Sequence, residues 1–430
     1  MNVLFIFVYP LLALCTVIQC SAYCAQSLKH LKNGNLCIQY FIYLLFFLFY
    51  VVPVISQIIF VGYEYEVFWR ANDAMKDFVS NIEYLAFVSI FSYFIMKSSK
   101  KDMKMQNSSI EINHSITRFG SLAVVFSFVL TIALSGIEVL IGGYGYAYIN
   151  SEVVNLNESV VGIGIIGYLI VLGNLRFVSR TKIVFLTIIV FCFFWIVGKR
   201  YIIAETMIMI ICVLGTTKYI SGKKMVQYLV VAGAILLPLC FLYGLLFKEN
   251  VTSFLDYFNV DFSRQYTLVY QFYCDRIGRD ISINPYDGVT YLLTFFIPRI
   301  LWFEKPYPFV NYLTLSLVGQ DYVEFESAGW ATTCSIFSDL YDSLSILGLV
   351  LGIMMFLKMF KRINKEKKTH YKILWIYITI KLLTVQISST ILQITAMLIL
   401  VFLVDKLFRN YVRIDIPNTG NYPIRVGKSR

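Results

Sequence analysis

The chain has 430 residues, of which 58% are hydrophobic, 17% aromatic and only 15% charged. A soluble domain carries about 25% charged residues, so a soluble enzyme is excluded and an all-α polytopic membrane protein is expected. The formal charge of +11 invites a nucleic-acid reading, which the placement of the charges then removes.

A helix needs roughly 20 apolar residues to cross a bilayer. In chain order, spans are predicted at 1–19, 36–61, 78–96, 119–141, 158–175, 183–198, 201–217, 225–247, 331–357, 371–386 and 388–405. That makes about 11 transmembrane helices, within a range of 10–14, the last two divided at Ser388 and Ser389. The chain thus divides into N-terminal helices (1–247), a large loop (248–330), C-terminal helices (331–405) and a tail (406–430).

The segments 26–36, 97–118, 176–182, 218–224, 358–372 and the tail from 405 hold 26 of the 37 Lys and Arg but five of the 26 acidic residues. By the positive-inside rule they are cytoplasmic, which puts the N-terminus outside and the C-terminus inside. The net charge is therefore a topology signal with some anionic-lipid contact, and no nucleic acid is implied. Lys29 and Lys32 follow the first span; a cleaved signal would carry its charges in front, so retention is expected. All three histidines (His30, His114, His370) fall on cytoplasmic segments, and the nine cysteines form no CxxC pair. Only Cys274 and Cys334 face the oxidising side, and a disulfide between them stays open.

About 80 residues separate the eighth and ninth spans, a length that is uncommon without function. Aromatic and aliphatic residues fill this loop, so a folded element on the outer surface is expected. Within it, GVTYLLTFFIPRILW (288–302) is too short to span and suits a re-entrant or interfacial helix broken near Pro298. Arg276 and Arg279 lie three apart in DRIGRD, and a planar guanidinium suits bidentate capture of phosphate oxygens. Salt bridges to Asp275, Asp280 and Asp287 are the alternative. GKR (198–200) also faces outward, with Glu205 and Glu138 as possible counter-charges and Lys381 near the outer end of its helix. SIFSDLYDSLSILGLVLG (335–352) opens the ninth span. Its Asp339 and Asp342 share a helix face, where a carboxylate could act as general base toward a sugar hydroxyl or simply favour a helix N-terminus.

IPRILWFEKPYPF (297–309) resembles the PR-x-x-W-x-x-KP segment of bacterial oligosaccharide repeat-unit polymerases, the Wzy-type O-antigen polymerases. SIFSDLYDSLSILGLVLGIMMF resembles the segment that follows it in that family, and GKR recurs there. The resemblance covers roughly residues 198–360; Phe303-Glu304 departs from the small or polar residues usual before KP. It implies a GT-C-like fold in the bacterial cytoplasmic (inner) membrane with its site facing the periplasm or cell exterior. It also implies glycosyl transfer between undecaprenyl-pyrophosphate-linked oligosaccharides, which serve as both donor and acceptor, without a cofactor or metal. A chain-length regulator protein and a flippase are the implied protein partners. On this resemblance Arg200, Arg276, Arg279, Arg299 and Lys305 would hold the pyrophosphate. Trp302, Tyr307 and Tyr341 would meet sugar, and Asp339, ahead of Glu326, would be the base. An O-antigen ligase, which often uses an outward histidine, and a lipid-linked oligosaccharide flippase or transporter are the competing readings.

Overall fold

Lipid offers no partners to the backbone, so an apolar chain closes its own hydrogen bonds within helices. The computed structural model describes residues 3–60, 62–102, 109–141, 151–197, 200–247, 258–284, 286–297, 301–320, 332–408, 411–415 and 425–427. The long helices are α1 (Val3–Lys32), α2 (Ile38–Ile59), α3 (Phe78–Asp102), α4 (His114–Ser135), α5 (Ser151–Gly173), α6 (Arg180–Val197), α7 (Arg200–Thr216) and α8 (Gly222–Phe247). Shorter α9 (Gln265–Arg276), α10 (Asp287–Thr294) and α11 (Phe309–Val318) follow, then α12 (Ile336–Lys365), α13 (Thr369–Thr384) and α14 (Ile391–Leu407). Six helices among the described residues are long and apolar enough to cross a membrane. With few strands, this is the helical architecture of a polytopic membrane protein.

The basic connecting segments meet at one end of the bundle. Gln39 Nε2 donates to Asp102 at 2.7 Å, and Asn364 Nδ2 donates to Gln39 Oε1 at 2.8 Å, tying the ends of α2, α3 and α12 together. Leu31 lies against Gly222, joining α1 to α8. Three short strands, β1 (Ser109–Asn113), β2 (Tyr411–Asp415) and β3 (Arg425–Gly427), pair antiparallel in that order at the same end. Beside them Asp405 gathers Lys368, Tyr371 and Tyr411.

Two features differ from the expectation of uninterrupted spans. The first is α2, which takes a π-helical step over Phe47–Val51. The second is α12, expected as one straight span. Its backbone turns at Ser345 (φ 49°, ψ −136°). Beyond the turn, a Cβ on Gly348 would collide with the Leu340 carbonyl, and one on Gly352 with the Phe337 ring. Residues 336–344 therefore fold back against 346–352 as a short arm. Phe337, near the foot of that arm, stacks on Phe356 and meets Phe87 and Phe91 edge-on, well down the bundle.

The described helices of the large loop pack into the bundle. On α9, Tyr266, Leu268, Val269 and Tyr270 are fully buried; on α11, Leu313 and Leu317 are. Both pack under the 60–77 connection, where Trp69 Nε1 donates to the Val318 carbonyl at 2.9 Å and Phe68 stacks on Tyr266.

Candidate functional site

Buried irregular backbone must find partners inside the protein. Three interruptions do so by meeting one another: residues 258–264 ahead of α9, residues 332–335 ahead of α12, and the 385–390 turn between α13 and α14.

Arg264 binds the first interruption to the third. Its backbone N–H donates to the Phe49 carbonyl at 3.0 Å, within the π step of α2. Its side chain is 1% exposed and donates through Nε and Nη2 to the Thr384 carbonyl at 2.9 and 2.6 Å, and through Nη1 to Ser263 O. The guanidinium also lies over the Phe49 ring, 5.2 Å from its centroid, a favourable arrangement for a cation among aromatics.

Asp339 binds the second interruption to the third. It is 7% exposed; Oδ2 accepts the Ile387 N–H at 3.2 Å and Oδ1 faces Cys334 Sγ at 3.9 Å. Arg264 and Asp339 are thus held by residues only three apart, Thr384 and Ile387. The end of α13 that leads into this turn carries a buried ion pair, Lys381 Nζ to Glu205 Oε2 at 2.5 Å, and the Thr384 hydroxyl donates to the other Glu205 oxygen. Glu205 reaches this point because it lies five residues into α7. Two cations and two carboxylates therefore surround residues 381–387, a balanced set that low dielectric requires of buried charge. A narrow cavity adjoins them, lined by Glu158, Thr206, Tyr377, Lys381, Thr390 and Gln393.

The residues singled out in the sequence are distributed around this centre. Tyr341, in the α12 arm, packs edge-on against Phe272 and donates its hydroxyl to Asp275 at 2.8 Å. One residue on, Asp342 accepts from the Ser282 hydroxyl at 3.2 Å on both oxygens. Arg276 pairs with Asp77, the residue just before α3, and Arg279 is exposed. Lys305 is buried, with Nζ donating to the carbonyls of Ile297 at 2.9 Å and Phe295 at 3.3 Å and lying over the Tyr291 ring. Trp302 and Tyr307 are half-buried, and the Tyr307 N–H donates to the Tyr312 hydroxyl. Arg200 opens α7, with only its backbone described; Arg299 and Glu326 lie outside the described residues. Glu138 sits past the end of α4, and Glu205 pairs with Lys381. Cys274 and Cys334 are both buried free thiols. Among the described residues no three His, Cys, Asp or Glu side chains gather as metal ligands.

Glu205 and Lys381 were each singled out in the sequence, but their pairing was not, nor was the Arg264 contact to Thr384. For Glu205 and Lys381 the signal is isolation: each is an ionisable group set in an apolar run, and such groups in membrane spans are costly and tend to be functional; Arg264, in the polar stretch DFSRQYT, carries no such signal. Which of them meet is a matter of tertiary packing. No family model, curated protein or solved structure matches this chain.

Proposed function

We propose that the chain is a membrane glycosyltransferase that polymerises undecaprenyl-pyrophosphate-linked oligosaccharide units, with eleven crossings in a GT-C-like arrangement and its site toward the outer face. The observation that carries this reading is Asp339, a carboxylate sunk in a folded-back helical arm, held by the same turn as a fully buried arginine. In the proposed step an acceptor sugar hydroxyl attacks the donor's anomeric carbon. A new C–O bond forms while the bond from that carbon to the pyrophosphate oxygen breaks, and the electron pair leaves with the pyrophosphate. The hydroxyl proton passes to Asp339. Arg279, at the exposed outer edge, with Arg200 and Arg299, would balance the departing charge; fixed guanidinium groups can stabilise it without a metal. Lys305, with its ammonium already on two carbonyls, is left out of this set. So is Arg276, whose guanidinium is paired with Asp77.

A second reading has its own support. Interrupted helices meeting around buried charge also build transporter sites, and the Glu205–Lys381 pair fits a lipid-linked oligosaccharide transporter.

The test is the purified chain in proteoliposomes with lipid-linked repeat units as sole substrate, in excess chelator. A ladder of longer saccharides, nearly lost in Asp339→Asn, is expected. Movement of the saccharide across the bilayer without lengthening would replace the polymerase by the transporter. In a deletion strain, surface lipid capped with single units marks a lost polymerase. Uncapped core with accumulated lipid-linked polymer marks a lost ligase, and neither product marks a lost flippase.

A further inference from the structure

We infer that α10 and the turn after it form a surface that docks into the outer-leaflet hydrocarbon of the bilayer, with Lys305 as the internal cap that allows it.

Leu293, Phe296, Leu301 and Phe303 are 70%, 68%, 78% and 90% exposed. Single exposed apolar residues are ordinary, but four large ones within eleven positions mark an interaction surface. Its neighbour identifies the occupant. Gly288 at the start of α10 lies against Ser343, two residues before the Ser345 turn, and Leu344, Ile346 and Leu347 at that turn are exposed too. Val350, Leu351 and Met354 continue the exposed apolar stripe down the long arm of α12, which faces lipid in any span. The uninterrupted apolar run of that arm, Ile346 to Leu357 before Lys358, rises only about 18 Å at 1.5 Å per residue, against a hydrocarbon core of about 30 Å. The Ser345 turn therefore stops inside the outer leaflet, and α10 beside it sits at the same level.

Backbone satisfaction is the second, independent observation. The last carbonyls of a helix lack intrahelical partners, and in hydrocarbon water cannot supply any. Just past α10, the carbonyls of Phe295 and Ile297 receive the Lys305 ammonium. A water-facing turn would not need a buried lysine there. The surface commits to lipid, with a second copy or a protein partner as the alternatives that the experiment separates. The inference does not depend on the glycosyl-transfer reading.

The full chain is reconstituted in phosphatidylcholine vesicles with a dansyl-bearing amino acid in place of Phe303, and separately in place of Leu293. The same probe at Lys76, exposed in the outer connection beside Glu64, serves as the aqueous reference. Lipids carrying a nitroxide near the top of the acyl chain are expected to quench the 303 and 293 probes several-fold more than the reference, with blue-shifted emission, while aqueous iodide shows the reverse order. Iodide quenching at 303 and 293 equal to that at 76 would overturn the inference. So would protection from both quenchers, which would mean that protein covers the surface.

Discussion

Arg264 and Thr384 are joined by two hydrogen bonds to a single carbonyl, so the last residue of α13 hangs on a guanidinium 120 positions earlier in the chain. A helix that ends at membrane depth leaves carbonyls to satisfy, and a fork of two N–H groups on one oxygen does so without opening a path for water.

Replacing Arg264 by Lys keeps the charge but not the fork. A hydrogen bond from a charged group contributes about 1.5–3 kcal/mol, and that loss should appear as a lower unfolding midpoint in detergent for Arg264→Lys. A midpoint equal to wild type would remove Arg264 from the architecture of the site.

The Glu205–Lys381 pair should behave as a buried unit. Breaking such a pair by removing one partner costs about 3–5 kcal/mol, whereas replacing both with apolar groups is often neutral. Glu205→Leu and Lys381→Met alone should each destabilise strongly, and the double variant should recover most of the loss. A double-mutant cycle with no coupling would contradict the contact.

Asp339→Asn should insert normally and lose about 10²–10⁴ in polymerisation rate, the usual contribution of a general base. Asp342→Asn, whose amide oxygen can still accept from the Ser282 hydroxyl, should fall much less. Equal losses in the two would favour a structural role for both.

Lys305→Met should lower stability by about 1–3 kcal/mol, the cost of stranding buried carbonyls, while each folded molecule keeps its activity. An unaltered midpoint with lost activity would restore Lys305 as a ligand of the pyrophosphate.

Ser345→Gly should raise the unfolding midpoint. A non-glycine residue with positive φ stores about 1–3 kcal/mol, and glycine adopts that conformation without a Cβ clash. Ser345→Val should lower it by a similar amount.

Helix positions were the legible part of this fold. The predicted spans at 183–198, 201–217 and 225–247 fall on α6, α7 and α8, and the division at Ser388 and Ser389 falls within the 385–390 turn. Apolar length and flanking charge set these, and both are visible in one dimension. The fold-back at Ser345 was not legible, because residues 331–357 read as a single span with Asp339 and Asp342 near its opening. Its trace is the four-residue spacing of Gly348 and Gly352, a pattern that lets helices approach closely and that here serves an arm of the same chain. Asp339 was readable as an acid near the mouth of a span. Its companion Arg264, 75 positions earlier, was not, since hydropathy does not report which interruptions share a depth.

The π step of α2 has a consequence for which chain lengths this protein tolerates. A π turn closes its hydrogen bond one residue further along than the 3.6-residue α turn; within it Tyr50 reaches the Leu383 carbonyl, while Tyr43 ahead of it reaches that of Cys20. Closing the step to ordinary α-helical pitch with every residue kept would swing the half of the helix beyond it by roughly 100°, the rotation of one residue. That would carry Tyr50 and the Phe49 carbonyl away from α13 and Arg264 together. Most of a spanning helix can absorb a substitution; this turn is where the reading frame of the structure, counted in residues rather than in side chains, is fixed.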